Sequence, residues 1–187
     1  MERICTPRHH LAVLHETGEM SLALRALMTV LFATLTGVCA QVRVPLPFTP
    51  VPFTLQTAAV ILSGIVLGPS AWTAQVLYLF AGLGGTPWFS GQTAGFPPAT
   101  IGYIIGFVPA AFIAGWASRQ AAFRTSIAFR FGMLSIAAFS VYLPGCLWLS
   151  SFLSLPLSRS FLIGALPFMP GDLLKVGLLS MVLRKQN

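Results

Sequence analysis

The sequence predicts an all-α integral membrane protein: a six-transmembrane-helix bundle with its N- and C-termini cytoplasmic. Three observations carry that expectation. Of the 187 residues, 56% are hydrophobic and only 8% are charged. A soluble domain is about 25% charged, and a soluble fold of this size could not cover its surface with so few charges. The apolar residues fall into stretches close to the roughly 20 that a helix needs to cross a bilayer. The basic residues lie between those stretches, strongly biased to one side.

The elements follow in order. Residues 1–20, MERICTPRHHLAVLHETGEM, are expected to form a polar cytoplasmic N-terminal tail, and residues 21–187 a six-helix membrane domain. The first span covers 21–40. Val38-Cys39-Ala40 loosely fits a signal-peptide cleavage site, but the lead-in is long and the rest of the chain is equally membrane-like. The second and third spans cover about 53–68 and 69–84 and meet at LGPSAW. Gly68 there suits a helix C-terminus and Pro69 the start of the next helix. Both spans are short, so they are tilted or form a hairpin that crosses incompletely. The fourth and fifth cover about 99–117 and 127–150. The sixth, 160–183, is interrupted by Pro167 and Pro170.

Parity follows from charge. With six spans and the N-terminus inside, the inner side carries Arg3, Arg8, Arg25, Arg119, Arg124, Arg130, Arg184 and Lys185, and the outer side only Arg43 and Arg159. An odd number of spans would split the basic clusters across the membrane, against the positive-inside rule. Trp72, Trp116 and Trp148 fall near span ends, as interfacial anchors do. The net charge of +7 is thus a topology signal and gives no indication of nucleic-acid binding.

Several chemistries are disfavoured. Cys5, Cys39 and Cys146 are scattered, and His9, His10 and His15 lie in the tail, so no metal site is expected. No GxxxxGK[ST] cradle is present, so the chain is not expected to hydrolyse ATP. Gly82-Leu83-Gly84-Gly85 is too incomplete for a dinucleotide site. No nucleophile–base arrangement is visible, and the chain is read as a non-enzyme.

Two outer segments, QVRVPLPFTPVPFT (41–54) and LGGTPWFSGQTAGFPPA (83–99), are rich in Pro, Gly and aromatics, with Arg43 their only charge. Proline lowers the entropy of a free loop, glycine lets backbone approach closely, and aromatics supply apolar area. They read as structured flaps over a small molecule, or as loops packed on each other above the helix ends.

PFMPGDLLKVGLL (167–179) holds the chain's only aspartate, Asp172, and one of its two lysines, Lys175. Residues three apart share a helix face, and ionised groups at membrane depth face the bundle interior and a partner. The pair is either an internal ion pair that also caps the helix, or a site for a ligand with N–H donors at one end and an acid at the other. Gln56, Gln75, Tyr78 and Tyr103 are further candidate contacts; each glutamine is as readily a helix–helix hydrogen-bond partner. The small-residue spacings Ala33…Gly37, Gly102…Gly106, Ala110…Ala114 and Ala111…Gly115 allow helices to pack closely, within this bundle or against another subunit.

VPLPFTPVPFTLQT (44–57), YLFAGLGGTPWFSG (78–91), GYIIGFVPAAFIAG (102–115) and PFMPGDLLK (167–175) together resemble the BioY family, the biotin-binding S components of energy-coupling-factor (ECF) transporters. The likeness runs in order from about residue 22 to 183. It implies a subunit of the bacterial cytoplasmic membrane that captures biotin from outside, beneath the loops after its first and third helices. Asp172 would accept from the ureido N–H groups and Lys175 would pair with the valerate carboxylate. The glycine-rich stretch from Gly84 and Gly85 to Gly95, with Trp88 and Phe89, would cover the bicyclic ring. Gln56 and Gln75 are weaker correspondences. The implied partners are a transmembrane coupling subunit and two cytoplasmic ATPases, with Ala33 and Gly37 on the first helix as the docking surface. No cofactor other than the ligand is implied. An S component for riboflavin or thiamin, or a structural subunit of a membrane complex, are the alternatives.

Overall fold

A computed structural model describes residues 20–89 and 99–182. The tail, Gly91, Gly95 and the last five residues, with the sequence expectations placed on them, lie outside the described residues.

Helix α1 (Leu22–Gln41) starts where Ser21 Oγ accepts from the Leu24 N–H, a side-chain N-cap. Its inner face is Phe32, Ala33, Thr36, Gly37 and Ala40, and Leu27, Val30, Leu31 and Val38 point outward. The first outer segment is a β-hairpin, a two-stranded addition to the expected helical bundle. Strands β1 (Arg43–Leu46) and β2 (Thr49–Thr54) pair antiparallel, with Arg43 opposite Thr54 and Val44 opposite Phe53. Pro45 falls where the register shifts. A two-stranded ribbon has an open edge on both sides, which is where prolines are tolerated in a sheet.

Helix α2 (Gln56–Leu67) ends at Gly68, whose φ of +67° requires glycine. A short 3₁₀ turn (Gly68–Ala71) leads into α3 (Trp72–Leu83). By length and hydropathy alone, Gln56–Leu83 would pass as one 28-residue span. Side-chain bonds exclude that. Gln56 Nε2 donates to Tyr78 Oη at 2.9 Å, and Gln75 Nε2 to Ser63 Oγ at 3.1 Å. In one straight helix, residues 56 and 78 would stand roughly 33 Å apart. The chain reverses at Gly68, and α3 runs back antiparallel to α2.

Helix α4 (Ile101–Ser118) is central, packed against α2, α3, α6 and α7. A Cβ at Gly102 or Gly106 would overlap the α7 backbone or Val141, and one at Gly64 would meet Ala111 and Ala114. The small-residue spacings on α4 therefore serve packing within this chain. A short α5 (Ala121–Thr125) precedes α6 (Ile127–Ser140) and α7 (Tyr142–Leu153), which follow one another through a helical Val141. Pro144 accounts for the interruption, since it has no N–H to offer the Ser140 carbonyl. The expected sixth span is two helices, α8 (Leu157–Gly164) and α9 (Met169–Val182), bent by 50° at residues 165–168.

Four described stretches are long and apolar enough to cross a membrane, or five with α8–α9 as one bent span. Contacts sort the turns into two ends. Arg119 lies over Gly68, Arg130 Nη1 donates to the Ser180 carbonyl at 3.1 Å, and the Thr29 and Thr73 hydroxyls are 3.4 Å apart. The start of α1, the 68–71 turn, the α4–α6 connection and the end of α9 therefore share one end. The hairpin lies at the other.

Candidate functional site

At the hairpin end, α2, α4, α7 and α9 enclose a cavity of about 50 Å³ roofed by β2. Its polar wall is built around Asp172 and Lys175, in the first turns of α9. The bend before α9, which holds Pro167, and Pro170 in the first turn of α9 start a new helix inside the bundle, and the Asp172 and Lys175 side chains point inward: Asp172 is 4% and Lys175 9% exposed. Lys175 Nζ is 2.7 Å from Asp172 Oδ1 and donates to the Thr54 carbonyl at 2.6 Å. It also sits 4.2 Å from the Phe53 ring centroid, a cation–π contact. Tyr142 Oη, from α7, donates to Asp172 Oδ2 at 2.5 Å. Phe53 stacks on Phe168 at 6.5 Å. Phe107, Ile104 and Val141 supply apolar wall. Thr100 lines the cavity with a buried hydroxyl that has no hydrogen-bond partner among the described residues.

Both carboxylate oxygens thus have a protein donor, and the ammonium has two acceptors. Removing either partner of such a buried pair costs about 3–5 kcal/mol. The site can accept N–H groups at Asp172 and an anion at Lys175. Among the described residues no group of His, Cys, Asp and Glu could hold a metal ion.

The candidates separate into groups. Asp172, Lys175, Gln56 and Tyr103 line the cavity. Tyr103 donates to the Gly164 carbonyl at 2.8 Å, at the end of α8. Tyr78, Trp88 and Phe89 lie behind the lining. Tyr78 Oη links Gln56 to the Trp88 carbonyl (3.1 Å), Trp88 stacks on its ring, and Phe89 meets it edge-on. Gln75 is fully buried among helices, donating to Ser63 and 3.4 Å from Thr36 Oγ1. Gly84 follows the end of α3 and Gly85 takes φ +104°; neither lines the cavity. The docking expectation for Ala33 and Gly37 needs correction. Ala33 is fully buried, and Gly37 packs against the Trp88 ring, so this face of α1 is occupied by the chain itself.

Sequence reasoning missed Tyr142, Phe53, Thr54, Phe168 and Thr100. A signal existed for the first. A lone buried carboxylate needs hydroxyl donors as well as a cation, and Tyr142 is the remaining one of only three tyrosines.

The fold and site define a class: a multi-pass helical membrane protein with a buried ion pair at a hairpin-covered cavity. Comparison with known proteins narrows this. The BioY family profile matches residues 14–187. A relative from Pyrococcus horikoshii, named "Probable biotin transporter BioY", is 39% identical over 152 residues, covering 79% of this chain and 86% of that one. The "Biotin transporter BioY" of Rhizobium etli is 28% identical, covering 79% and 84%. A crystal structure of the S-component for biotin from an ECF-type ABC transporter shares the fold, with a TM-score of 0.76 at 24% identity over 89% of this chain and 93% of that one. The chain belongs to the BioY family.

Proposed function

We propose that this chain is the biotin-binding S component of an ECF transporter, capturing biotin for uptake across the bacterial cytoplasmic membrane. The observation that carries the proposal is the Asp172–Lys175 pair buried in a cavity under the hairpin, in a chain of the BioY family. Biotin has N–H donors on its ureido ring and a carboxylate at the end of its side chain. Asp172 takes the first and Lys175 the second. The ligand's ring and chain separate those two ends, whereas Asp172 and Lys175 touch. Binding therefore parts the pair: Lys175 turns to the ligand's acid, and an N–H takes its place on Asp172. Ligand sites measure roughly 300–1,000 Å³, so the hairpin or the side chains beneath it move to admit biotin. Thr100's unpaired hydroxyl is a donor for the ureido oxygen. Gln56 and Tyr103 complete the lining, with Trp88, Phe89 and Tyr78 as apolar backing, and Gly84 and Gly85 as the hinge of the third loop.

The membrane domain, residues 21–187, crosses six times, with α2 and α3 as separate short passages and α8–α9 as one bent passage. The reversal at Gly68 supports the even count. The basic residues Arg25, Arg119, Arg124 and Arg130 support placing that end, both termini and the polar tail in the cytoplasm. Energy comes from partner ATPases through a transmembrane coupling subunit, since the chain has no phosphate cradle. Equilibrium binding of biotin to the purified chain, with riboflavin and thiamin as competitors, tests the proposal. Biotin is expected to bind and to resist both; tighter binding of either competitor contradicts the specificity.

A further inference from the structure

We infer that Tyr142 is a positioning residue that holds Asp172 once Lys175 has turned to the ligand's acid. The inference rests on biotin being the ligand. Tyr142 is 5% exposed, lines the cavity, and donates to Asp172 Oδ2 from α7, across the bundle from the helix that carries the pair. Lys175 holds the other oxygen, Oδ1. Without ligand the pair is neutral overall. With biotin bound, the site contains one ammonium and two carboxylates, a net charge of −1. Asp172 then keeps its charge in an apolar surrounding without its cation, a costly state unless hydrogen-bond donors replace it. The ureido N–H is one donor, and the Tyr142 hydroxyl is the other already in place.

Tyr142 also fixes which lone pairs remain free. A carboxylate has about four acceptor positions, and a donor on Oδ2 from α7 sets the plane of the group. The free positions on Oδ1 are then open to the cavity when Lys175 leaves. Two other cavity hydroxyls are engaged elsewhere: Tyr103 donates to Gly164 and the Thr54 hydroxyl to Gln56 Oε1.

The test compares biotin with biotinamide, which lacks the acid. Biotinamide leaves Lys175 on Asp172, so Tyr142 matters less to it. Tyr142→Phe keeps the ring and removes only the hydroxyl. The variant is expected to lose about tenfold or more in biotin affinity and clearly less in biotinamide affinity. Equal losses for the two ligands, or no loss, overturn the inference in favour of a purely structural hydrogen bond. The wild-type chain provides a second test. Asp172 is the only aspartate, so aspartate labelled with ¹³C at its side-chain carboxyl gives one resonance. Biotin is expected to shift that resonance more than biotinamide does, because only biotin draws Lys175 away; identical shifts overturn the exchange. A folded wild type that binds neither ligand fails the biotin reading itself, and this inference with it.

Discussion

Lys175 has three N–H groups, and two are engaged inside the protein, on Asp172 and on the Thr54 carbonyl. Its role toward a ligand acid is therefore an exchange of partners, with a defined signature. Lys175→Met keeps the stem and removes the charge. It is expected to weaken biotin by roughly 10- to 100-fold, as for a lost charged hydrogen bond, and biotinamide by less. Calorimetry on folded variant protein makes the comparison, and equal losses would remove the carboxylate role. At this scale the site was half legible. Asp172 and Lys175 stood out because a chain almost without charge cannot bury them idly. Gln75 carried the same kind of polar signal, yet it ties α3 to α1 and α2, because an amide inside a bundle is as readily satisfied by a neighbouring helix as by a ligand. Tyr142 gave no local signal, since its partner lies 30 residues away.

At the scale of elements, the hairpin and the start of α9 act as one unit. Phe53 of β2 packs between Lys175 and Phe168, and it lies so close to Gly171 that a Cβ there would overlap its ring. Gly171→Ala is compatible with the α9 helix but pushes Phe53, and the hairpin with it, off its seat. Overpacking of this kind costs about 1–3 kcal/mol. The expected outcome is a folded protein with about tenfold weaker biotin binding; unchanged affinity would mean that the seat of the hairpin does not matter to the ligand. The proline- and aromatic-rich segment was recognisable as structured from its composition, but its strands were not. Prolines at 45, 50 and 52 mask the alternation that marks a strand, and only the pairing across the turn reveals it. The split of the last span was announced by Pro167 and Pro170. The docking surface expected at Ala33 and Gly37 was misread for a related reason: small residues signal close packing, but the sequence alone does not say whose side chains fill the space.

For the molecule as a whole, the reversal at Gly68 decides how the ends are arranged. If the N-terminus is cytoplasmic and α2 and α3 are separate passages, the α4–α6 connection lies inside and the loop before α8 outside; a single passage over 56–83 would exchange the two. In a cysteine-free chain, Ser158→Cys is expected to react with a membrane-impermeant maleimide on intact cells, and Ala121→Cys only after lysis. Labelling of Ala121→Cys on intact cells, with Ser158→Cys reacting only after lysis, would contradict the six-passage arrangement. The even count is an expectation drawn from the basic residues; among those described, Arg119 and Arg130 lie at the end of the Gly68 turn. The central claim is that the buried pair exists to hold biotin. Calorimetric titration of biotin into detergent-purified wild type beside Asp172→Asn, with folding verified for both, tests it most directly. The account predicts saturable binding by the wild type and a loss of roughly 10- to 100-fold in the folded variant. Equal biotin affinity in the two proteins would contradict it.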